Sequence, residues 1–186
     1  MENRVLKYLK IIPFENLKEE EKKLVWRWRN NEKIRNLFFN PNFIPYEDHI
    51  KFIKLLKSSK DKDKKYFLVK YKDEYIGVFN FTNIKNENNK KLAELGTYIN
   101  PENSKPAYAY LVGLAIKQKA RELGIAKLIA YVFPNNQAAI KYNKFLGFKE
   151  KEIIQLKKYN KNFEVLKMEL IFEEGNLKWK KLKKMF

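Results

Sequence analysis

The sequence has no cysteine, which excludes a disulfide framework, a thiolate nucleophile and any cysteine-ligated zinc site. It has a single histidine, His49, too few for a histidine-rich metal centre. Acidic residues number 22 against 40 basic ones, for a formal net charge of +18. No apolar run approaches the roughly 18 residues that a membrane-crossing helix needs. The N-terminal MENRVLKYLKIIPF has neither a long apolar segment nor a small-residue cleavage site. The expectation is a cytoplasmic protein with no membrane partner and no metal. Internal repeats and low-complexity linkers are missing as well.

What is present suits a folded domain. Hydrophobic residues make up 45% and aromatics 15%, so disorder does not fit despite the 33% of charged residues. A chain of 186 residues favours one domain, with a core that needs no staples. The positive surplus is mostly lysine, scattered through every segment. It would draw polyanions such as nucleic acid, an anionic surface or phosphate-bearing ligands. A solvated lysine surface is the favoured account over a dedicated nucleic-acid patch, because charge alone is weakly specific.

Periodicity orders the chain. Val5 to Phe14 reads as an opening strand closed by Pro13, after which Asn16 is expected to cap a helix with acids in its first turn. Tyr46 to Ser59 reads as a second helix. Three strands follow in quick succession, Tyr66 to Tyr71, Tyr75 to Ile84 and Leu92 to Ile99, joined by turns short enough for antiparallel hairpins. Pro106 then opens a long helix that Gly124 stops. The strand Ile125 to Val132, the helix Asn136 to Leu146 and a final hairpin complete the order β-α-α-β-β-β-α-β-α-β-β. Antiparallel strands followed by one joined through a helix predict an α/β fold with a mixed sheet and helices on both faces.

Two segments carry a family likeness. One is the strand Ile125–Val132 running through Pro134-Asn135-Asn136 into Asn136-x-x-Ala139-Ile140 and ending at Gly147-Phe148. The other is Trp28-Arg29-Asn30, continued by His49-x-x-Phe52. Together with the element order, over roughly residues 5–172, they resemble the Gcn5-related N-acetyltransferases (GNAT). Within that superfamily the second segment is similar to enzymes that acetylate nucleotide-linked amino sugars. The nearest likeness is to those acting on UDP-4-amino-4,6-dideoxy-N-acetylaltrosamine in pseudaminic acid biosynthesis. The resemblance implies acetyl-CoA as co-substrate and a UDP-amino sugar as acceptor. It implies direct transfer in a ternary complex, since no cysteine can carry an acyl group.

It also implies roles for residues. A splay between Leu92–Ile99 and Ile125–Val132 would take the pantetheine arm, with Gly96, Tyr98 and Ile99 along it; a mid-strand Gly96 also reads simply as packing. The pyrophosphate is expected at the helix start, on Lys105, Ala107, Tyr108 and Ala109, although the family's glycines are absent there and Pro106 removes a donor. Asn136 would line the same site. The acid that serves the leaving sulfur is usually a tyrosine four residues before the Gly-Phe glycine. The gapless count reaches Asn143, with Tyr142 beside it; asparagine has no proton to give near neutral pH. Glu94, on the same strand face as Tyr98, is a candidate base, and it reads equally as a solvent-facing strand acid. Arg29, His49, Thr82 and Asn83 are candidates for the acceptor site. Arg29 would act as a phosphate fork, or else as a solvated helix-end cation.

Residues 1–174 form the expected catalytic domain. Residues 175–186 form a basic amphipathic tail containing Trp179, readable as a contact for nucleic acid or as a solvated terminus. Two other functions stay open at this level. One is a ribosomal-protein-type N-terminal acetyltransferase, a subgroup that often lacks the tyrosine. The other is an inactive, basic nucleic-acid-binding module, the less favoured partner class. A monomer or a homodimer is expected.

Overall fold

The structure is a computed structural model that describes residues 5–58 and 63–172; the basic tail expected over 175–186 lies outside them. Its centre is a seven-stranded sheet. The strands are β1 (Leu9–Pro13), β2 (Lys65–Tyr71), β3 (Glu74–Glu87), β4 (Lys90–Ile99), β5 (Ile125–Val132), β6 (Lys149–Lys158) and β7 (Lys161–Ile171). Their order across the sheet is β1-β2-β3-β4-β5-β7-β6. Every neighbouring pair is antiparallel except β4 and β5.

The hairpins turn on residues that tolerate left-handed backbone. Asn88 and Asn89 have φ of 49° and 60°, and Tyr159 and Asn160 have φ of 51° and 58°. Consecutive positive φ values suit the right-handed twist of a two-residue hairpin. The parallel pair needs a crossover, and the helix between β4 and β5 supplies it.

Among the described residues, α1 (Glu19–Asn30), α2 (Glu32–Arg35), α3 (Tyr46–Lys57), α4 (Pro106–Glu122) and α5 (Gln137–Leu146) clothe the sheet. On the front face α1 and α3 pack through Val25, Trp28 and Ile53 on Leu68 and Val78. On the back face α4 and α5 pack through Val112, Ile116, Ile140 and Leu146 on Phe79, Phe81, Leu128 and Ala130. Gly147, at φ 99°, ends α5, and the N–H of Phe148 closes the turn on the Asn143 carbonyl at 2.9 Å.

The expected order of strands and long helices is present; the short helix α2 (Glu32–Arg35) is an addition to it, and there are local corrections. The opening strand begins at Leu9, not Val5. Asn16 ends a 3₁₀ turn (Phe14–Asn16) and does not cap α1, which starts at Glu19. The Lys18 N–H is instead taken by the Glu21 carboxylate at 2.8 Å, half of a capping box. The third strand runs on to Glu87 through a bulge at Asn83, whose φ is 49°.

Candidate active site

The central feature is a parting of strands. β4 pairs with β5 from Lys91↔Ile125 to Glu94↔Ile129 and no further. Beyond that point β4 continues to pair with β3 through Ile99, and β5 continues to pair with β7 through Val132. Residues 95–99 and 130–132 therefore face each other across an opening in the middle of the sheet. Residues 94–99 are all partly exposed although they lie on a central strand. Every second residue along this edge turns its N–H and C=O into the gap, and such groups require partners.

On the front face, Glu94, Gly96 and Tyr98 stand opposite Thr82, Asn80 and Val78 of β3. The strand alternation read from the sequence thus holds for Glu94 and Tyr98. Gly96 has an intramolecular reason to lack a side chain: a Cβ there would lie 2.4 Å from Asn80 Oδ1. Glu94 sits at the apex of the parting. Its Oε1 accepts from Asn83 Nδ2 at 2.6 Å, and its Oε2 lies 3.3 Å from Lys158 Nζ. A cleft of about 360 Å³ opens beside it, lined by Asn83, Leu92, Glu94, Ile129 and Tyr131 among others. Burial raises the Tyr131 hydroxyl above its usual value, and the nearby Glu94 carboxylate adds to this.

The loop over residues 36–45 crosses the open end. Phe38 packs edge-on to Tyr98, the β4 side, with centroids 6.0 Å apart. Phe39 packs on Phe133, just past β5, at 5.3 Å and on Phe163 of β7 at 5.1 Å. Two consecutive phenylalanines thereby straddle the two strands that part. The loop is fastened by one face of α1. Trp26 Nε1 donates to the Ile44 carbonyl at 2.7 Å. Asn30 holds Ile44 in both directions, donating to its carbonyl at 3.0 Å and accepting its N–H at 2.8 Å. Arg29 Nη2 donates to the Asn40 carbonyl at 2.9 Å. Positions 26, 29 and 30 share a face at i, i+3 and i+4.

Arg29 lies 4.1 Å from the centroid of the Phe38 ring, and Nη1 is buried with no hydrogen-bond partner among the described residues. Burial lowers its titration, with Tyr98, Tyr159 and Tyr66 in its electrostatic surroundings. His49 is buried on α3 with Nε2 3.1 Å from the Lys22 carbonyl, so it fastens α3 to α1. That contact requires the Nε2–H tautomer, and burial depresses the ring's pKa to about 4. Thr82 is half-buried across from Glu94, and Asn83 is exposed beside it.

Behind the sheet, Pro106 occupies the first turn of α4, and the N–H of Ala107 has no intrahelical acceptor by position. Tyr108 N donates to the Lys105 carbonyl at 2.9 Å. The Lys105 ammonium lies 3.0 Å from both Glu74 carboxylate oxygens. Asn136 is the N-cap of α5, its Oδ1 accepting the Ala139 N–H at 3.1 Å; this explains the Asn-x-x-Ala spacing. Tyr142 buries its hydroxyl and donates to the Ala109 carbonyl at 3.0 Å, while burial pushes its titration well above the tyrosine range. Asn143 is buried, with Nδ2 3.8 Å from Met168 Sδ.

The candidates thus fall into a front group and a back group. Glu94, Gly96, Tyr98, Thr82, Asn83 and Arg29 gather on the front of the parted strands. Lys105, Ala107, Tyr108, Ala109, Asn136, Tyr142 and Asn143 belong to the two back helices and their approaches. His49 lies apart, between α1 and α3. Lys158, Phe38 and Phe39 also border the opening, and sequence patterns do not single them out. Only the Phe-Phe pair in a proline-bracketed loop offers a local signal, and nothing local ties Lys158 to Glu94.

Residues 12–149 match the family described as an acetyltransferase (GNAT) domain. The acetyltransferase PseH of Campylobacter jejuni is 37% identical over 133 residues, 72% of this chain and 80% of that protein. The crystal structure of the Campylobacter jejuni N-acetyltransferase PseH in complex with acetyl coenzyme A superposes with a TM-score of 0.64 at 28% identity, covering 89% of this chain and 99% of that one. A spermidine N-acetyltransferase from Vibrio cholerae has the same fold, with a TM-score of 0.72 at 19% identity over 89% of this chain and 96% of its own.

Proposed function

The chain belongs to the GNAT acetyltransferase family, and we propose that it transfers the acetyl group of acetyl-CoA to the primary amine of a UDP-linked deoxy amino sugar. The observation that carries this reading is the parting of β4 from β5 beyond Glu94. A relative of 28% identity binds acetyl coenzyme A on the same fold. The polar backbone edge of residues 95–99 suits an extended arm bearing amides. Acetyl-CoA supplies an acyl group already activated as a thioester.

The chain's own residues do the rest. Glu94 takes the proton of the acceptor amine, directly or through water, with Asn83 orienting its carboxylate. The backbone of residues 95–99 positions the cofactor arm, and the start of α4 receives its phosphates on first-turn N–H groups. Tyr142 acts as a wedge between α4 and α5, because its hydroxyl is already committed to Ala109. Asn143 stands at the position of the usual acid and can only donate a hydrogen bond. The Arg29 guanidinium, whose buried Nη1 has no hydrogen-bond partner among the described residues, is the group that would take the acceptor's phosphates. The Arg29 guanidinium on the front side favours an anionic acceptor over a basic protein N-terminus, while Lys158 and Lys167 are each paired with a glutamate.

The test is CoA release with acetyl-CoA and a panel of acceptors. UDP-4-amino sugars should be turned over, and basic N-terminal peptides should not. Glu94→Gln should lower kcat/KM by about a hundredfold or more. Turnover of the peptides with none of the sugars would overturn the acceptor assignment.

A further inference from the structure

The β6–β7 hairpin brings an amine to the carboxylate assigned as base. β7 pairs with β5 only from Ile171 to Leu166, so its remaining residues and the hairpin tip run on past the end of β5. Phe163 packs against Phe133 and Phe39 at the open end of the parted strands. From there the tip reaches the front face, where Lys158, the last residue of β6, places Nζ 3.3 Å from Glu94 Oε2. The pair is neither sealed nor free in solvent, with side-chain exposures of 30% for Lys158 and 23% for Glu94. Other lysines of the described residues pair elsewhere: Lys51 with Asp48 along α3, and Lys105 with Glu74.

An ammonium held by Glu94 at the apex of the parted strands is what an acceptor amine would present. We propose that, when no acceptor is bound, the protein acetylates its own Lys158, and that the acceptor protects this residue by taking its place. The inference rests on acetyl-CoA occupying the parted strands and on Glu94 acting as base. In the step, the Lys158 ammonium passes one proton to the Glu94 carboxylate and the neutral nitrogen forms a C–N bond to the acetyl carbonyl carbon. The C–S bond breaks. The nitrogen's second proton leaves with the sulfur as CoA thiol, and the proton on Glu94 passes to water. An amide replaces the ammonium, so the tip loses its ion pair with Glu94.

The experiment compares two acetyl donors on the intact protein, read by mass spectrometry of the whole chain and of its peptides. N-hydroxysuccinimidyl acetate, which needs no enzyme, should modify Lys51 and Lys105 ahead of Lys158, because their exposures are 74% and 50%. Acetyl-CoA should reverse that order. Lys158 should react at least tenfold faster than either, at a rate per molecule independent of protein concentration. Glu94→Gln should abolish the preference under acetyl-CoA and raise Lys158 labelling by the chemical reagent. Lys158→Arg, which keeps Glu94 and the cation, should leave the reagent pattern at the other lysines unchanged while removing the fast acetyl-CoA site.

If both donors modify the lysines in the same order while acetyl-CoA still raises the melting temperature, the self-acetylation is wrong and the cofactor site stands. If acetyl-CoA neither stabilises the protein nor modifies Lys158 preferentially, the inference fails together with the function it rests on.

Discussion

Tyr142 and Asn143 are neighbours in sequence, yet their side chains leave α5 about 100° apart. Tyr142 turns to α4 and spends its hydroxyl on the Ala109 carbonyl; Asn143 turns to Met168 on the sheet. Tyr142→Phe should therefore cost about 1 kcal/mol, the loss of one hydrogen bond. That is about 2–4 °C in Tm for a chain of this size. Turnover should stay within about twofold. A large fall in kcat with an unchanged melt would return the acid's role to that hydroxyl. Counting along the sequence reaches both residues and does not choose between them. The choice depends on where α4 lies, and no local pattern encodes that.

At the scale of elements, the Trp26-x-x-Arg29-Asn30 face of α1 builds the loop that crosses the parted strands. Asn30→Ala removes both bonds to Ile44 and should loosen that loop without touching the cofactor side. The expected result is an acceptor KM raised about tenfold, on the order of 1–2 kcal/mol for two lost hydrogen bonds, with the KM for acetyl-CoA unchanged. An equal rise in both would remove the loop from acceptor binding.

His49 joins α3 to α1 in its neutral form. Its folded pKa of about 4 lies below the ordinary 6.5, so the unfolded chain binds the proton first as pH falls. The stability tied to neutral His49 is complete above pH 6.5 and drains away between 6.5 and 4. The loss should be roughly 2–3 kcal/mol, allowing for partial solvent screening. Urea melts of wild type and His49→Gln across that window should converge as the pH drops. Parallel curves would show that His49 carries no such coupling. The sequence marks His49 for the acceptor site; burial between two helices is a tertiary fact, invisible in the His-x-x-Phe spacing.

For the whole molecule, the sheet is a single scaffold with one gap. Filling the gap should stabilise the fold, because a ligand that binds only the native state adds free energy by mass action. Acetyl-CoA at about 100 times its Kd should contribute about 2.7 kcal/mol. That is about 5–10 °C in Tm for a domain of this size, read by differential scanning fluorimetry. A melt insensitive to acetyl-CoA would contradict a cofactor site in the parted strands.

Local chemistry in the chain determined most of the architecture. Strand alternation, Pro106 at a helix start, the Asn136 cap and the Gly147 stop each act within a few residues, so the element order and the mixed sheet are legible in the residues themselves. The face shared by Glu94 and Tyr98 is equally legible, because it follows from period two alone. Only the tertiary structure decided where β4 and β5 separate, that Asn80 occupies the space over Gly96, and that Tyr142 faces a helix and not the cleft. It also decided that Lys158 reaches Glu94 from 64 positions away. Those outcomes depend on twist, hairpin length and the packing of distant segments, none of which any short stretch of sequence carries by itself.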